Sequence, residues 1–214
     1  MAIDTPRSAA SASAPAAVLR TAILLRALPL IVVGLVITFS ADHSTAIGFV
    51  MLSVLGLASG ASLGLGALRL PAGDALRGLH LGLATLAVIV GVLSLALSSR
   101  SLGFLLLLVG AYAAFGGLGE LVWGLRRRTA HPVARDAIVV GAATAALAVV
   151  TALVGDPVSA VGFFGAYAII AGVFLVIAGL SVGGAAPIAS PSAAPGIESG
   201  RGPGTASEKE NSPS

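Results

Sequence analysis

The sequence predicts an all-α membrane protein of six transmembrane helices, built as three repeated two-helix hairpins with both termini cytoplasmic. Three observations carry that prediction. First, 57% of the 214 residues are hydrophobic and only 10% charged, where a soluble domain carries roughly a quarter charged residues. Mean hydropathy is +1.02. So few polar side chains cannot cover a water-facing surface, and lipid is the natural solvent. Second, apolar stretches recur at 21–41, 46–68, 79–98, 102–125, 137–155 and 158–182, each near the ~20 residues that cross a ~30 Å hydrocarbon core. Third, Arg20, Arg26, Arg69, Arg77, Arg126, Arg127, Arg128 and Arg135 fall on one side of these stretches, and only Arg100 on the other. Positive charge gathers on the cytoplasmic side.

Residues 1–18 are rich in Ala, Ser and Pro without an apolar period, and read as a disordered arm. The first apolar run, Ala27–Phe39, has the size of a signal-peptide core. However, 26 residues precede it and no A-x-A pattern follows, so it is taken as the first span. The six-helix domain then covers 19–183. Its hairpins, 21–68, 79–125 and 137–182, are closed by the short turns Ser40–Ser44, Ser98–Ser101 and Gly155–Pro157. The longer connections Arg69–Gly78 and Arg126–Asp136 are basic. From residue 184 to 214 the chain turns to Gly, Ala, Pro, Ser and scattered charge, a composition expected of a disordered cytoplasmic tail.

An internal repeat runs through the spans without gaps. Gly34, Ser53, Gly60 and Ala67 in the first hairpin align with Gly91, Gly110, Gly117 and Gly124 in the second. Ala146, Gly165, Gly172 and Gly179 continue the series in the third. Seven residues are nearly two helical turns, so the small residues of each even-numbered span share a face. Lipid offers no hydrophobic drive between helices, and close backbone approach at small residues holds a bundle together. Gly56, Gly60 and Gly64 add a double GxxxG to the second span. All these glycines are expected at helix contacts.

The third hairpin, Asp136–Val182, has Gly155-Asp156-Pro157 at its turn and Phe164-Gly165-Ala166-Tyr167-Ala168-Ile169-Ile170-Ala171-Gly172 after it. This text resembles the repeat of the HdeD family, small six-span bacterial inner-membrane proteins linked in the founding member to acid resistance. Leu106–Arg128 resembles the same unit. The likeness covers residues 80–182 and reaches the first hairpin weakly, where Leu55 stands at the position of the repeat's tyrosine. It implies a plasma-membrane location and a part in stress tolerance, and it transfers no catalytic residue.

Measured from the outward turns, Arg26, His80, Glu120, Arg135 and Asp136 lie at similar depth, about 26–30 Å in at 1.5 Å per residue. That is the cytoplasmic edge of the hydrocarbon. Glu120 has Gly116 and Gly124 at i±4 and Trp123 at i+3, so its partner must come from another helix. His80 is the first choice, because a Glu–His pair could titrate near neutrality; Arg26 and Arg135 are the others. Tyr112 and Tyr167 lie too deep for an aromatic belt and are expected to hydrogen-bond between helices. Trp123 reads as an interface anchor.

Several functions are disfavoured. The chain lacks cysteine, and His43, His80 and His131 fall in separate segments, so no metal or thiol chemistry is indicated and no cofactor is expected. The pI near 10.2 comes from arginines between spans, which points to membrane orientation and not to nucleic acid. Charge is missing from the midplane, where ion-coupled carriers place it. An enzyme would have only the Glu120 cluster to work with. A non-enzymatic membrane protein in contact with lipid, self-associating as a homo-oligomer and without a small-molecule ligand, is the expectation. A small passive channel along the glycine faces is the alternative.

Overall fold

A computed structural model of the chain describes residues 7–96, 100–131 and 133–182. These form six helices and no strand: α1 Arg7–Phe39, α2 Thr45–Leu68, α3 Ala75–Ala96, α4 Leu102–Arg127, α5 Ala134–Leu153 and α6 Pro157–Ser181. All six contain a stretch long and apolar enough to cross a membrane, that of α1 being Ala17–Phe39. The chain is thus a multi-pass membrane protein. Its outer surface agrees, since Phe39, Leu153 and Phe115 are each more than two-thirds exposed, an arrangement suited to acyl chains and costly in water.

Two boundaries depart from the sequence expectation. Helix α1 starts at Arg7, inside the segment read as an arm, where alanine, the best helix former, recurs among serines and Pro15. Helix α3 starts at Ala75, four residues early. Asp74 Oδ1 accepts the Leu76 N–H at 2.8 Å and supplies a start signal at the polar edge. The expected tail, 184–214, lies outside the described residues.

The three short turns are capped alike. Ser44, Ser101 and Asp156 are the N-caps of α2, α4 and α6, and each accepts a backbone N–H three residues on, from Ile47, Phe104 and Ser159. The Ser159 N–H, donated to Asp156 Oδ1 at 2.9 Å, holds that carboxyl below the ordinary aspartate range. A lowered folded-state pKa stabilises above the unfolded value and loses its effect as pH falls through the folded one. Asp156→Ala should therefore melt below wild type at neutral pH, and the gap should close under strong acid. An equal gap at both pH values would contradict the cap.

Packing links each hairpin to the next more closely than it links the two helices within a hairpin. The most intimate pairs are α4–α5, α2–α3 and α1–α6; α1–α2, α5–α6 and α3–α4 touch less. The glycines explain this. A Cβ on Gly117 would lie 2.5 Å from the Ala145 nitrogen, and one on Gly56 would lie 2.8 Å from the Gly91 Cα. Gly165 and Gly172 of α6 press on Ile37 and Ile31 of α1, and Gly34 of α1 presses back on Ile169. Gly60 meets Ala84 and Val88, Gly124 meets Ala134 and Ile138, and Gly179 meets Ile23 and Leu24. Gly110 faces Thr151 more loosely, at 3.2 Å. Even-numbered helices thus seat on the following odd-numbered one, and α6 returns to α1.

Gly64 is a correction. A Cβ there would meet nothing within 4 Å, so it is not a packing glycine. Successive steps of four residues overshoot the helical repeat by about 40° each. By the third glycine of a double GxxxG the face has turned off the seam, whereas steps of seven stay on it. Gly141, which the sequence pattern did not single out, is tightly packed instead, a Cβ there lying 2.5 Å from the Leu121 nitrogen.

Buried hydroxyls are satisfied within their own helices. Ser53, Ser94 and Thr144 donate to the carbonyls of Phe49, Val90 and Val140, four residues back. Lipid supplies no hydrogen bonds, so such internal partners are what make these residues tolerable in a span.

Candidate functional site

The polar cluster forms at the end of the bundle where α3 and α5 begin. Arg26, on α1, reaches Glu120 on α4, the guanidinium Nη2 donating to Oε1. The Glu120 side chain is 3% exposed and that of Arg26 18%. The backbones of α1 and α4 do not approach each other closely among the described residues, and the ion pair reaches across the space between them. A carboxylate in such surroundings is held by its partner, because taking a lone charge out of water costs several kcal/mol.

A cavity of about 40 Å³ adjoins the pair, large enough for a water molecule. Arg26, His80, Glu120 and Asp136 share its wall with apolar side chains such as Leu79, Val140 and Leu175. Glu120 Oε2 and His80 Nδ1 are buried in the protein without a hydrogen-bond partner among the described residues. The site thus holds a fixed positive charge, one fully buried carboxylate, a half-buried carboxylate and an imidazole. Among the described residues no group of three His, Asp or Glu side chains is placed to hold a metal.

The chain matches no family model, no curated protein and no solved structure. What the site does must be argued from its own geometry.

Glu120 faces the interior, as its cost in lipid requires, but its partner is Arg26 and not His80. Arginine's longer side chain lets Arg26 reach Glu120 from α1, although the α1 and α4 backbones do not approach closely. Arg135 is a second correction. It is exposed and lines a separate surface groove with Arg128, Thr129, Ala130 and His131. Adjacent helical positions differ by about 100°, so Asp136 on the cavity wall turns Arg135 away from it.

Two other sequence expectations divide. The Tyr167 hydroxyl lies 2.8 Å from Thr144 Oγ1 and ties α6 to α5. Tyr112 packs against the core, with no hydroxyl partner among the described residues. Trp123 sits beside His131, ring centroids 5.2 Å apart and nearly edge-on. No sequence spacing announced this pair, because His131 belongs to the loop after α4.

Proposed function

We propose that the chain is a non-enzymatic, HdeD-like protein of a bacterial plasma membrane that supports envelope or acid-stress tolerance as a sealed helical bundle. The observation behind this reading is the distribution of polarity. The Arg26–Glu120 pair and its neighbours occupy one end of the bundle, while the seams between hairpins are filled backbone to backbone at Gly56, Gly91, Gly117 and Gly141. A bundle closed in this way adds no route for protons when the outside is acid. The acid-stress role itself rests on the resemblance to the HdeD repeat. A channel along the glycine faces would need the space that neighbouring helices occupy.

The plan behind this reading is a threefold repeat. Support comes from the three equivalent caps, Ser44, Ser101 and Asp156, whose intervals along the chain equal those between Gly60, Gly117 and Gly172. The arginine asymmetry supports a cytoplasmic location for both termini and the Arg126–Asp136 loop.

Both parts can be tested. Tags inserted at Asp42 or Asp156 should be reachable from outside intact cells and the Arg126–Asp136 loop should not; labelling of that loop from outside would reverse the topology. Purified protein in liposomes should leak protons and small solutes no faster than empty vesicles, and a deletion strain should survive acid shock less well than its parent. A flux above background would favour the channel. Unchanged survival would remove the stress role.

A further inference from the structure

Helices α3 and α4 touch least of all sequence-adjacent pairs, and a groove of about 520 Å³ opens at their basic end. Its walls are mixed. Leu79 of α3 and Leu118 and Val122 of α4 are apolar, whereas Arg126 and Arg127 stand at the helix terminus. Gly119 and Trp123 complete the lining. At spacings of three and four, Gly119, Val122, Trp123 and Arg126 form one stripe along α4. Gly119 carries no side chain, and a Cβ there would meet nothing within 4 Å, so it leaves part of the groove open.

Two observations point to an anionic occupant with a hydrocarbon body. Both charged groups in the lining are arginines, with no carboxylate among them. The planar guanidinium suits phosphate, to which it can donate two hydrogen bonds at once. Below the arginines the wall turns apolar within one helical turn, which a free phosphate would not use.

We propose that this groove binds an anionic phospholipid, its phosphate held by Arg126 and Arg127 and one acyl chain lying along Leu118 and Val122 toward the membrane interior. Basic pockets between helices on the cytoplasmic side are where anionic headgroups gather. A zwitterionic lipid fits the same apolar wall and gains less from the arginines. Leu79 lines both this groove and the cavity beside Glu120, so the lipid would sit one side chain from the buried ion pair.

Trp123 is the protein's single tryptophan, and its fluorescence reports on the groove directly. Full-length protein is reconstituted in phosphatidylcholine, and acyl-brominated phosphatidylglycerol or acyl-brominated phosphatidylcholine is titrated in as the quencher. Wild type should prefer the phosphatidylglycerol by roughly thirtyfold, on the order expected from two arginines near an anionic headgroup. R126Q/R127Q should lose the preference. Gly119→Leu, which adds bulk where the groove is open and leaves every charge in place, should lose it too. R69Q/R77Q removes the same charge from the other basic connection and should keep it. Equal quenching by both lipids in wild type would overturn the proposal, as would a preference that survives in R126Q/R127Q or Gly119→Leu, or that disappears in R69Q/R77Q. Inorganic phosphate at millimolar concentration should leave quenching unchanged; displacement of the brominated lipid would mean a free-phosphate site and overturn the lipid assignment.

Discussion

Gly117→Leu is expected to destabilise the bundle by roughly 3 kcal/mol or more, at the upper end of what overpacking costs. The obstacle is backbone. A Cβ on Gly117 would stand 2.5 Å from the Ala145 nitrogen and 2.9 Å from both the Gly141 carbonyl oxygen and the Thr144 carbonyl carbon. No rotamer change relieves such contacts; α4 and α5 must move apart along the most intimate interface in the protein. Even Gly117→Ala should be harmful, since the first carbon already collides. Gly172→Leu should also destabilise, though it first meets the Ile31 side chain at 2.6 Å, which has some freedom to adjust. Gly162→Leu and Gly64→Leu are the controls, because a Cβ at either meets nothing within 4 Å. Thermal unfolding in detergent separates the two groups. Similar melting temperatures for Gly117→Leu and Gly162→Leu would mean that close backbone approach does not hold α4 to α5.

Glu120→Gln is expected to cost about 3 kcal/mol, because removing one partner of a buried ion pair leaves the other charge uncompensated. Arg26 has only the exposure of its outer edge to fall back on. Arg26→Met should be comparably harmful, since it strands a carboxylate that is almost wholly buried. Joining the two, as Arg26→Met with Glu120→Met, should recover much of the loss; apolar replacements of buried pairs are often neutral or better. A double-mutant cycle on detergent stability reads the coupling directly. Additive effects of the Arg26 and Glu120 changes, within about 0.5 kcal/mol, would refute the pair. His80→Ala, by contrast, should couple to Glu120→Gln far more weakly than Arg26→Met does, since the carboxylate's hydrogen-bond partner is Arg26 and not the imidazole.

These two predictions draw on different information. The existence of a glycine seam was legible in residues such as Gly117 and Gly172, because seven-residue spacing marks a helix face whatever that face meets. Which helix it meets was not legible. A short turn such as Gly155–Pro157 brings α5 and α6 together at one end, and it is natural to expect the glycines to serve that contact. In the fold the turns join helices that touch modestly, and the seams run to the next hairpin, with α6 seated on α1. The Trp123–His131 contact was equally hidden, since it depends on the course of a loop, and so was the groove between α3 and α4, since it depends on how far two helices stand apart.

The sequence by itself determined six apolar spans, their approximate ends and the edge at which ionisable groups collect. Each of these is a statement about depth along one axis, and hydropathy with 1.5 Å per residue measures depth well. It also determined that Glu120 must find a partner on another helix, because its own helix offers glycine at both i±4 positions. Only the tertiary structure decided that the partner is Arg26, that His80 and Asp136 share a cavity wall with it, and that Arg135 turns outward. His80, Arg26 and Arg135 are equivalent in depth and differ only in their position around the bundle. That position is fixed by which small residues let two backbones approach, a property of paired surfaces that no single span contains.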